Sequence, residues 1–373
     1  MIQKPKFKIR VAEPIITEED ISAVSNALRE GKLSSGEIVE TFEKEFSTYI
    51  GTKRAVAVNS GTAALHLCLA ALNISKNDEV ITTPLTFAAT ANVIVLQGAK
   101  PVFVDVESET YNLDPEKIEK AITSRTKAIM PIHYGGQCAE MDRILEIAER
   151  YDLKVIEDAA PAAGATYHGR KAGTFGIAAG FSFFPDKNIT TGEGGMVTTN
   201  DAELAEKIRI LRRHGAPKRY YHIEIGWNYK MQDFAAALGI SQLRRLEDII
   251  KRKNELAKHY GDLLENVQDV QVPIVKNYNR HTFMLYSIRT KTRVQRDKII
   301  EVLEKEGIET RINFPPVHLQ PIYVRLYGFK EGMFPVAEEV AKTILGLPIH
   351  LTLTDEDINF IAKLVKQAVR SVR

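Results

Sequence analysis

Cysteine is scarce. The 373 residues hold two, Cys68 and Cys138, far apart and neither in a CxxC pair. That spacing excludes a disulfide framework and a cysteine zinc site, leaving both as small buried apolar residues. An excess of one charge is also missing: 50 Lys and Arg stand against 48 Asp and Glu, with no basic block apart from acidic neighbours. A nucleic-acid partner is therefore not indicated. No stretch approaches the roughly 18 consecutive apolar residues of a membrane span. The basic segment Met1–Arg10 has no apolar core of the kind a secretory leader carries. No membrane partner is expected, and the cytoplasm is the expected location. Metal ligation has no sequence support, because no histidine stands near the acidic pair at Glu157 and Asp158.

What remains is an ordinary globular composition, 44% hydrophobic and 26% charged, in a chain long enough to divide its core between a large and a small domain. From Ala55 to Asn200, short β-rich runs alternate with helical stretches. AVAVN (Ala55–Asn59), EVITT (Glu79–Thr83), PVFVDV (Pro101–Val106), KAIMPI (Lys127–Ile132) and KVIED (Lys154–Asp158) read as strands. Such alternation predicts βαβ units and a mostly parallel sheet covered on both faces. Thr17 followed by Asp20 three residues on predicts a capping box opening an amino-terminal helix apart from the sheet. Asp233 to about Asn266 has one amphipathic helical pattern and links the two halves. Beyond it, TFMLYSIR reads as a strand, TRVQRDKIIEVLEKEG as a helix ending at Gly307, and TDEDINFIAKLVKQAVRSV as a capped terminal helix. The expected domains are residues 1–250, with the helical amino-terminal segment, and residues 251–373, a smaller α+β unit.

Three segments fall at predicted strand ends, where an open α/β sheet places its ligands. In NSGTAALHL, Ser60, Gly61 and Thr62 turn a strand into a helix. The turn serves either as a plain helix cap or as a cradle of backbone N–H groups for an anion such as phosphate. In VIEDAAPAAGA, Glu157 or Asp158 ends a buried strand and needs a partner there. That carboxylate either caps the following turn or pairs with a cationic ring nitrogen of a cofactor. In FSFFPDKNITTGEGG, Lys187 follows an apolar run and precedes a glycine-rich turn. A lysine is ordinarily a solvated surface charge. At a strand end it shares a crevice with Asp158 and Ser60. Anion cradle, buried aspartate and lysine are the three parts needed to hold pyridoxal phosphate.

The ordered stretches FEKEFSTYIGTKRAVAVNSGTAALHL, DEVITTPLTFAATANVI, GAKPVFVDV, VIEDAA, FSFFPDKNITTGEGGMVTTND, GWNYKMQDFAAALGISQL and FPPVHLQPIY carry a resemblance over nearly the whole chain. The chain resembles the DegT/DnrJ/EryC1/StrS sugar-nucleotide aminotransferases, fold-type I pyridoxal-phosphate enzymes. The resemblance implies an α/β, aspartate-aminotransferase-like large domain with a mostly parallel seven-stranded sheet, a smaller carboxyl-terminal α+β domain, and a homodimer with active sites at the interface. Lys187 matches the Schiff-base lysine and Asp158 the partner of the pyridine nitrogen. Gly61, Thr62 and Ser182 match phosphate contacts, and Phe87 the aromatic residue that stacks on the ring. Asn228 matches an asparagine reaching the neighbouring subunit's phosphate. His318 falls where the family's carboxyl-terminal domain approaches the sugar nucleotide; it and Phe87 also have a reading as packing residues.

The activity implied is transamination. An amino acid, glutamate or glutamine, converts the cofactor to pyridoxamine phosphate, which then aminates a C3 or C4 keto group on a nucleotide-linked deoxysugar. Lysine rather than histidine at position 187 favours this over the dehydratase chemistry of some relatives. Pro161 departs from the family, which usually has a polar side chain there, near the cofactor's phenolic oxygen; proline cannot supply that contact. VAEPIITEED and LSSGE look like perosamine-type 4-aminotransferases, whereas FPDKN looks like other subgroups. The rival readings are a keto-cyclitol aminotransferase of the same family and a non-catalytic cofactor-binding regulatory protein. A desulfurase or lyase would need a nucleophile that Cys68 and Cys138 supply poorly.

Overall fold

The computed structural model describes residues 7–372. The alternating segments build one sheet from β1 (Arg54–Val58), β2 (Glu79–Thr82), β3 (Lys100–Phe103), β4 (Thr126–Ile129) and β5 (Lys154–Asp158). The hairpin of β6 (Thr166–Tyr167) and β7 (Arg170–Lys171) intervenes before β8 (Ala178–Ser182) and β9 (Gly195–Thr199) complete it. The seven strands lie in the order β1-β9-β8-β5-β4-β2-β3. Only β9 runs antiparallel to its neighbours. Successive residues of a strand point to opposite faces. Accordingly Val56, Val80, Ile156 and Val197 pack with Leu65, Leu69 and Ile208 on one side. Ala57, Ile81, Val155 and Phe181 pack with Phe42, Phe46 and Ile144 on the other. Both faces are dry, which is why the strands read as continuous apolar runs.

Two strands stop short of their sequence patterns. β3 ends at Phe103 because the carboxylate of Asp105 turns away to accept the N–H groups of Val336 (3.0 Å) and Ala337 (2.8 Å) at the start of a distant helix. β4 ends before Pro131, which has no N–H to donate. The Asp233–Asn266 pattern also divides, into helices Asp233–Leu243 and Leu246–Leu264. At the break, the Arg245 guanidinium donates to the buried carboxylate of Asp20 (2.6 Å), which also accepts from Gln242 (2.8 Å) and closes the capping box with Thr17. That one carboxylate ties the amino-terminal helix Glu18–Arg29 to the break.

A second core surrounds an antiparallel sheet of β10 (Val270–Gln271), β12 (Tyr286–Thr290) and β13 (Ile344–Leu347). Helices Arg293–Lys305 and Asp355–Arg370 cover it. β11 (Asn279–Arg280) instead pairs with β6. β12 begins four residues later than TFMLYSIR suggests, because Phe283 takes a left-handed conformation (φ 46°) and donates its N–H to His281 Nδ1 (2.8 Å). The helix Leu246–Leu264 crosses position 250 unbroken. Leu246, Ile249 and Ile250 belong to the first core, and Leu256, Ala257, Tyr260 and Leu264 to the second. The amino-terminal strip also crosses over: Lys8 and Ile9 donate to the Gly307 carbonyl, and Ile349 to that of Val11.

Candidate active site

The parallel strands deliver their carboxyl ends to one edge of the sheet, where a cavity of 560 Å³ opens. Gly61, Thr62, Phe87, Asp158, Ser182 and Lys187 all line it. Six residues spread over more than a hundred positions thus meet because β1, β2, β5 and β8 all end at this edge of the sheet.

At one end lies the helix Gly61–Ala71. The Ser60 hydroxyl accepts the Ala63 N–H (3.1 Å), so the capping role is real. It leaves the N–H groups of Gly61 and Thr62 without an acceptor among the described residues, so the cap is compatible with an anion at the same turn. Gly61 is required by close approach: a Cβ there would stand 2.7 Å from the Ser182 Cβ.

Glu157 and Asp158 part company on opposite faces of β5. Glu157 is fully buried and saturated: it accepts the N–H groups of Gly173 (2.7 Å), Phe175 and Gly176 (2.8 Å each) and meets His133 Nε2 at 2.9 Å. His133 Nδ1 accepts from the Ala139 N–H, so the network assigns the ring proton to Nε2. Asp158, 3% exposed, accepts only from the Thr90 hydroxyl (2.7 Å) and the Ala160 N–H (3.2 Å). Burial pushes its carboxyl above the usual range, outweighing the hydrogen bonds from Thr90 and Ala160 and the more distant charge of Lys187. A buried carboxylate without a cation against it, facing a cavity, suits a protonated ring nitrogen. The open N–H pair and this aspartate at separate points of one cavity fit pyridoxal phosphate.

Lys187 is no solvated surface charge. Its side chain is 19% exposed, and Nζ lies 3.2 Å from Asp186 Oδ1. Asp186 Oδ2 in turn holds Arg311 Nη1 at 3.0 Å. Behind it, Lys253 is buried and donates to the Asn188 side chain (2.8 Å); burial lowers its ammonium to about 8. Phe87 presents an open ring, 63% exposed, 6.2 Å from that of Phe314. Pro161 also lines the cavity, in the turn closed by the Ala162 N–H and the Ala159 carbonyl.

Two residues singled out in the sequence stand elsewhere. Asn228 is exposed and off the cavity, its carbonyl accepting from the Asn59 side chain (3.3 Å). His318 is fully buried, with Nε2 3.0 Å from Glu338 and its ring 4.7 Å from that of Phe334. The Val317 N–H donates to the Pro84 carbonyl (2.8 Å), which turns the following histidine inward. Conversely, Thr90, Asp186, Arg311, Asn313 and Phe314 line the cavity without having been singled out. Thr90 sits one helical turn after Phe87, a spacing that signals a shared face. Arg311 and Asn313 carry no such local signal. A second, larger cavity of 660 Å³ lies beside Glu43, Arg209 and Arg212, whose charges pair with one another, and none of the predicted site residues lines it. Among the described residues no side-chain cluster suits a metal ion, and no helix is long and apolar enough to cross a membrane.

By the family it matches and the relatives it resembles, the chain is a pyridoxal-phosphate-dependent aminotransferase. Residues 14–366 match the DegT/DnrJ/EryC1/StrS aminotransferase family, and the chain belongs to it. It is 43% identical to the spore coat polysaccharide biosynthesis protein SpsC of Bacillus subtilis, with 99% of each chain covered. It is 42% identical to the GDP-perosamine synthase of Caulobacter vibrioides, with 97% of this chain and 98% of that one covered. Among solved structures, DesV of S. venezuelae in complex with a ketimine intermediate superposes with a TM-score of 0.91 at 37% identity, covering 95% of each chain.

Proposed function

We propose that this chain transfers an amino group from an amino acid, L-glutamate or L-glutamine, to a C3 or C4 keto group of a nucleotide-linked deoxysugar. The observation that carries the chemistry is the meeting of Lys187, Asp158 and the open N–H groups of Gly61 and Thr62 in one cavity. The sugar-nucleotide substrate rests on likeness to a GDP-perosamine synthase that covers nearly the whole of both chains. When bound, pyridoxal phosphate supplies the electron sink that stabilises the carbanion formed as the donor loses its Cα proton. In this reading the Gly61 and Thr62 N–H groups and the Ser182 hydroxyl hold the phosphate, and Asp158 keeps a proton on the ring nitrogen. Phe87 covers one face of the ring. The Lys187 amine anchors the cofactor and, once displaced by the donor, carries the Cα proton.

The working unit is a homodimer in which Asn228 serves the neighbouring site. The exposed side chains of Tyr220, Tyr221, Ile223 and Ile225 nearby offer apolar surface for pairing to bury.

Borohydride reduction of the loaded protein followed by peptide mapping tests the assignment. Label is expected on Lys187, and Lys187→Ala is expected to slow turnover at least about 1,000-fold. Label on another lysine refutes the site. A panel of 3-keto and 4-keto sugar nucleotides and a keto-cyclitol then fixes the acceptor.

A further inference from the structure

A lysine that anchors a cofactor and then carries a proton spends part of each cycle detached, as a free amine in the cavity. In water its protonated form would be held by solvent. In a cavity whose wall includes Phe184, Met284, Leu285 and Phe314 that form needs a resting place and a counter-charge.

Lys187 has such a place. Its Nζ lies 3.2 Å from Asp186 Oδ1, and among the described residues no other acid stands within 4 Å of it. Asp158 and Glu193, the other acids that line the cavity, are farther off. Asp186 Oδ1 is buried and accepts no hydrogen bond from any other group, so this oxygen is open to the amine. Oδ2 is taken, at 3.0 Å from Arg311 Nη1.

An ion pair between chain neighbours is ordinarily an incidental surface contact worth little. Two features set this one apart. The first is rigidity on both sides. The Asn188 side chain accepts from Lys253 (2.8 Å) and donates to the Thr282 carbonyl (3.2 Å), and the Lys187 N–H donates to the Phe184 carbonyl (2.9 Å), which fixes the chain around Asp186. Arg311 holds the carboxylate from the far side, its own backbone exchanging two hydrogen bonds with Gly346 (3.2 and 2.7 Å). The oxygen facing Lys187 is therefore in place before any charge forms on the amine.

The second feature is the balance of charge. Asp186 is one carboxylate among the cations Lys187, Arg311 and the buried Lys253. Burial lowers the Lys253 ammonium to about 8, with the Asp186 charge working against that shift and the Lys187 charge with it. A positive charge on Lys187 thus meets a second cation in a poorly solvated region, and Asp186 offsets it.

We propose that Asp186 is the positioning residue for the detached Lys187 amine: it holds that amine at Oδ1 and stabilises the ammonium formed when Nζ takes up the donor's Cα proton. The second half rests on the aminotransferase reading. The amine leaves the cofactor uncharged; the Cα–H bond then breaks, an N–H bond forms at Nζ, and the electron pair goes to the cofactor's electron sink. Asp186 itself neither gains nor loses a proton.

One test needs no cofactor: acetylation of the cofactor-free chain with acetic anhydride at about pH 8, following Lys187 by peptide mass spectrometry against the exposed Lys154. Only the unprotonated amine reacts, and a nearby carboxylate favours the protonated one. Asp186→Asn, which keeps the shape and removes the charge, is expected to speed labelling of Lys187 about 5-fold, and Asp186→Glu to hold it near the wild-type rate. Arg311→Met breaks the other contact of Asp186 but leaves its charge, and is expected to leave the rate unchanged or slow it. The other test uses the chain loaded with pyridoxal phosphate and L-glutamate bearing hydrogen or deuterium at Cα. Asp186→Asn is expected to lower kcat about 10-fold with little change in KM and to raise the isotope effect on kcat, with Asp186→Glu recovering most of the loss. Unchanged labelling in Asp186→Asn, or equal acceleration in Arg311→Met, overturns the proposal, as does an Asp186→Asn enzyme whose kcat and isotope effect stay the same or whose kcat rises. Failure of the loaded wild-type protein to turn over any amino acid overturns the aminotransferase reading, and the role in proton uptake with it, whereas the resting place is decided by the labelling alone.

Discussion

Glu157 and Asp158 are adjacent, equally charged and both buried at the end of β5, yet their surroundings differ in kind. Glu157 faces a closed part of the fold where three backbone N–H groups and one imidazole satisfy it. Asp158 faces the cavity with two donors, and burial raises its carboxyl. A saturated buried charge is part of the scaffold. One left short of partners at a cavity is poised for a ligand, and that shortage separates site from support more sharply than burial does.

Substitution of each acid by its amide is the strongest probe of this difference. In the loaded enzyme, Asp158→Asn is expected to lower turnover by about 100-fold or more, because the ring nitrogen loses its anion. In the cofactor-free chain the same change is expected to stabilise the fold at neutral pH by on the order of 1 kcal/mol, since it removes an uncompensated charge. Glu157→Gln is expected to do the reverse, costing about 3 kcal/mol in urea unfolding by leaving buried donors without their anion. The sign for Asp158 follows from its raised carboxyl: its contribution to stability is fully present below the ordinary 3.8 and lost as pH rises. The gap between wild type and Asp158→Asn should therefore widen from about pH 4 toward neutrality. Equal signs for the two substitutions would refute the division of roles.

An effect of opposite pH direction is expected at His281, beside the second core. Burial lowers this imidazole to about 3, and its Nδ1 accepts the Phe283 N–H. It stays neutral in the fold while the unfolded chain takes up a proton near the ordinary 6.5. Stability from this group is complete above that value and is lost as pH falls from about 6.5 toward 3. Thermal unfolding of His281→Asn should show a flatter acid limb over that interval than the wild type does.

The smallest effect concerns Pro161, which lines the cavity immediately after Ala160, whose N–H donates to Asp158. A glutamine there gains a hydrogen-bond donor for the cofactor's phenolic oxygen. The visible band of the loaded Pro161→Gln protein should then lose its proton at lower pH than the wild type does. A midpoint that stays put or rises would show that the missing contact does not set the cofactor's protonation.

The large sheet was legible in the sequence because its strands are buried on both faces, and apolar runs between helical periods survive as a pattern without knowledge of partners. The three segments that meet at the cavity were legible because each lies where such a run ends. The choice between Glu157 and Asp158 came from the family resemblance and not from the residue pattern, since face assignment depends on which turn, Gly173 to Gly176, folds back on β5. The seclusion of His318 was not legible either, since it follows from a single hydrogen bond between Val317 and Pro84. Arg311 and Asn313 come from a loop more than a hundred residues beyond Lys187, and no local periodicity ties them to it.

The helix Leu246–Leu264 is rooted in both cores, and at 19 residues it spans roughly 28 Å. Lys253 leaves it between its two anchorages and donates to the side chain of Asn188, the residue after Lys187. The helix therefore acts as a beam with its fastening point at the site. Through the Lys253–Asn188 bond the helix is tied to the segment that carries Lys187, and through Gly346 the second core holds the backbone of Arg311. Both walls of the cavity are thus fastened to elements anchored in the second core.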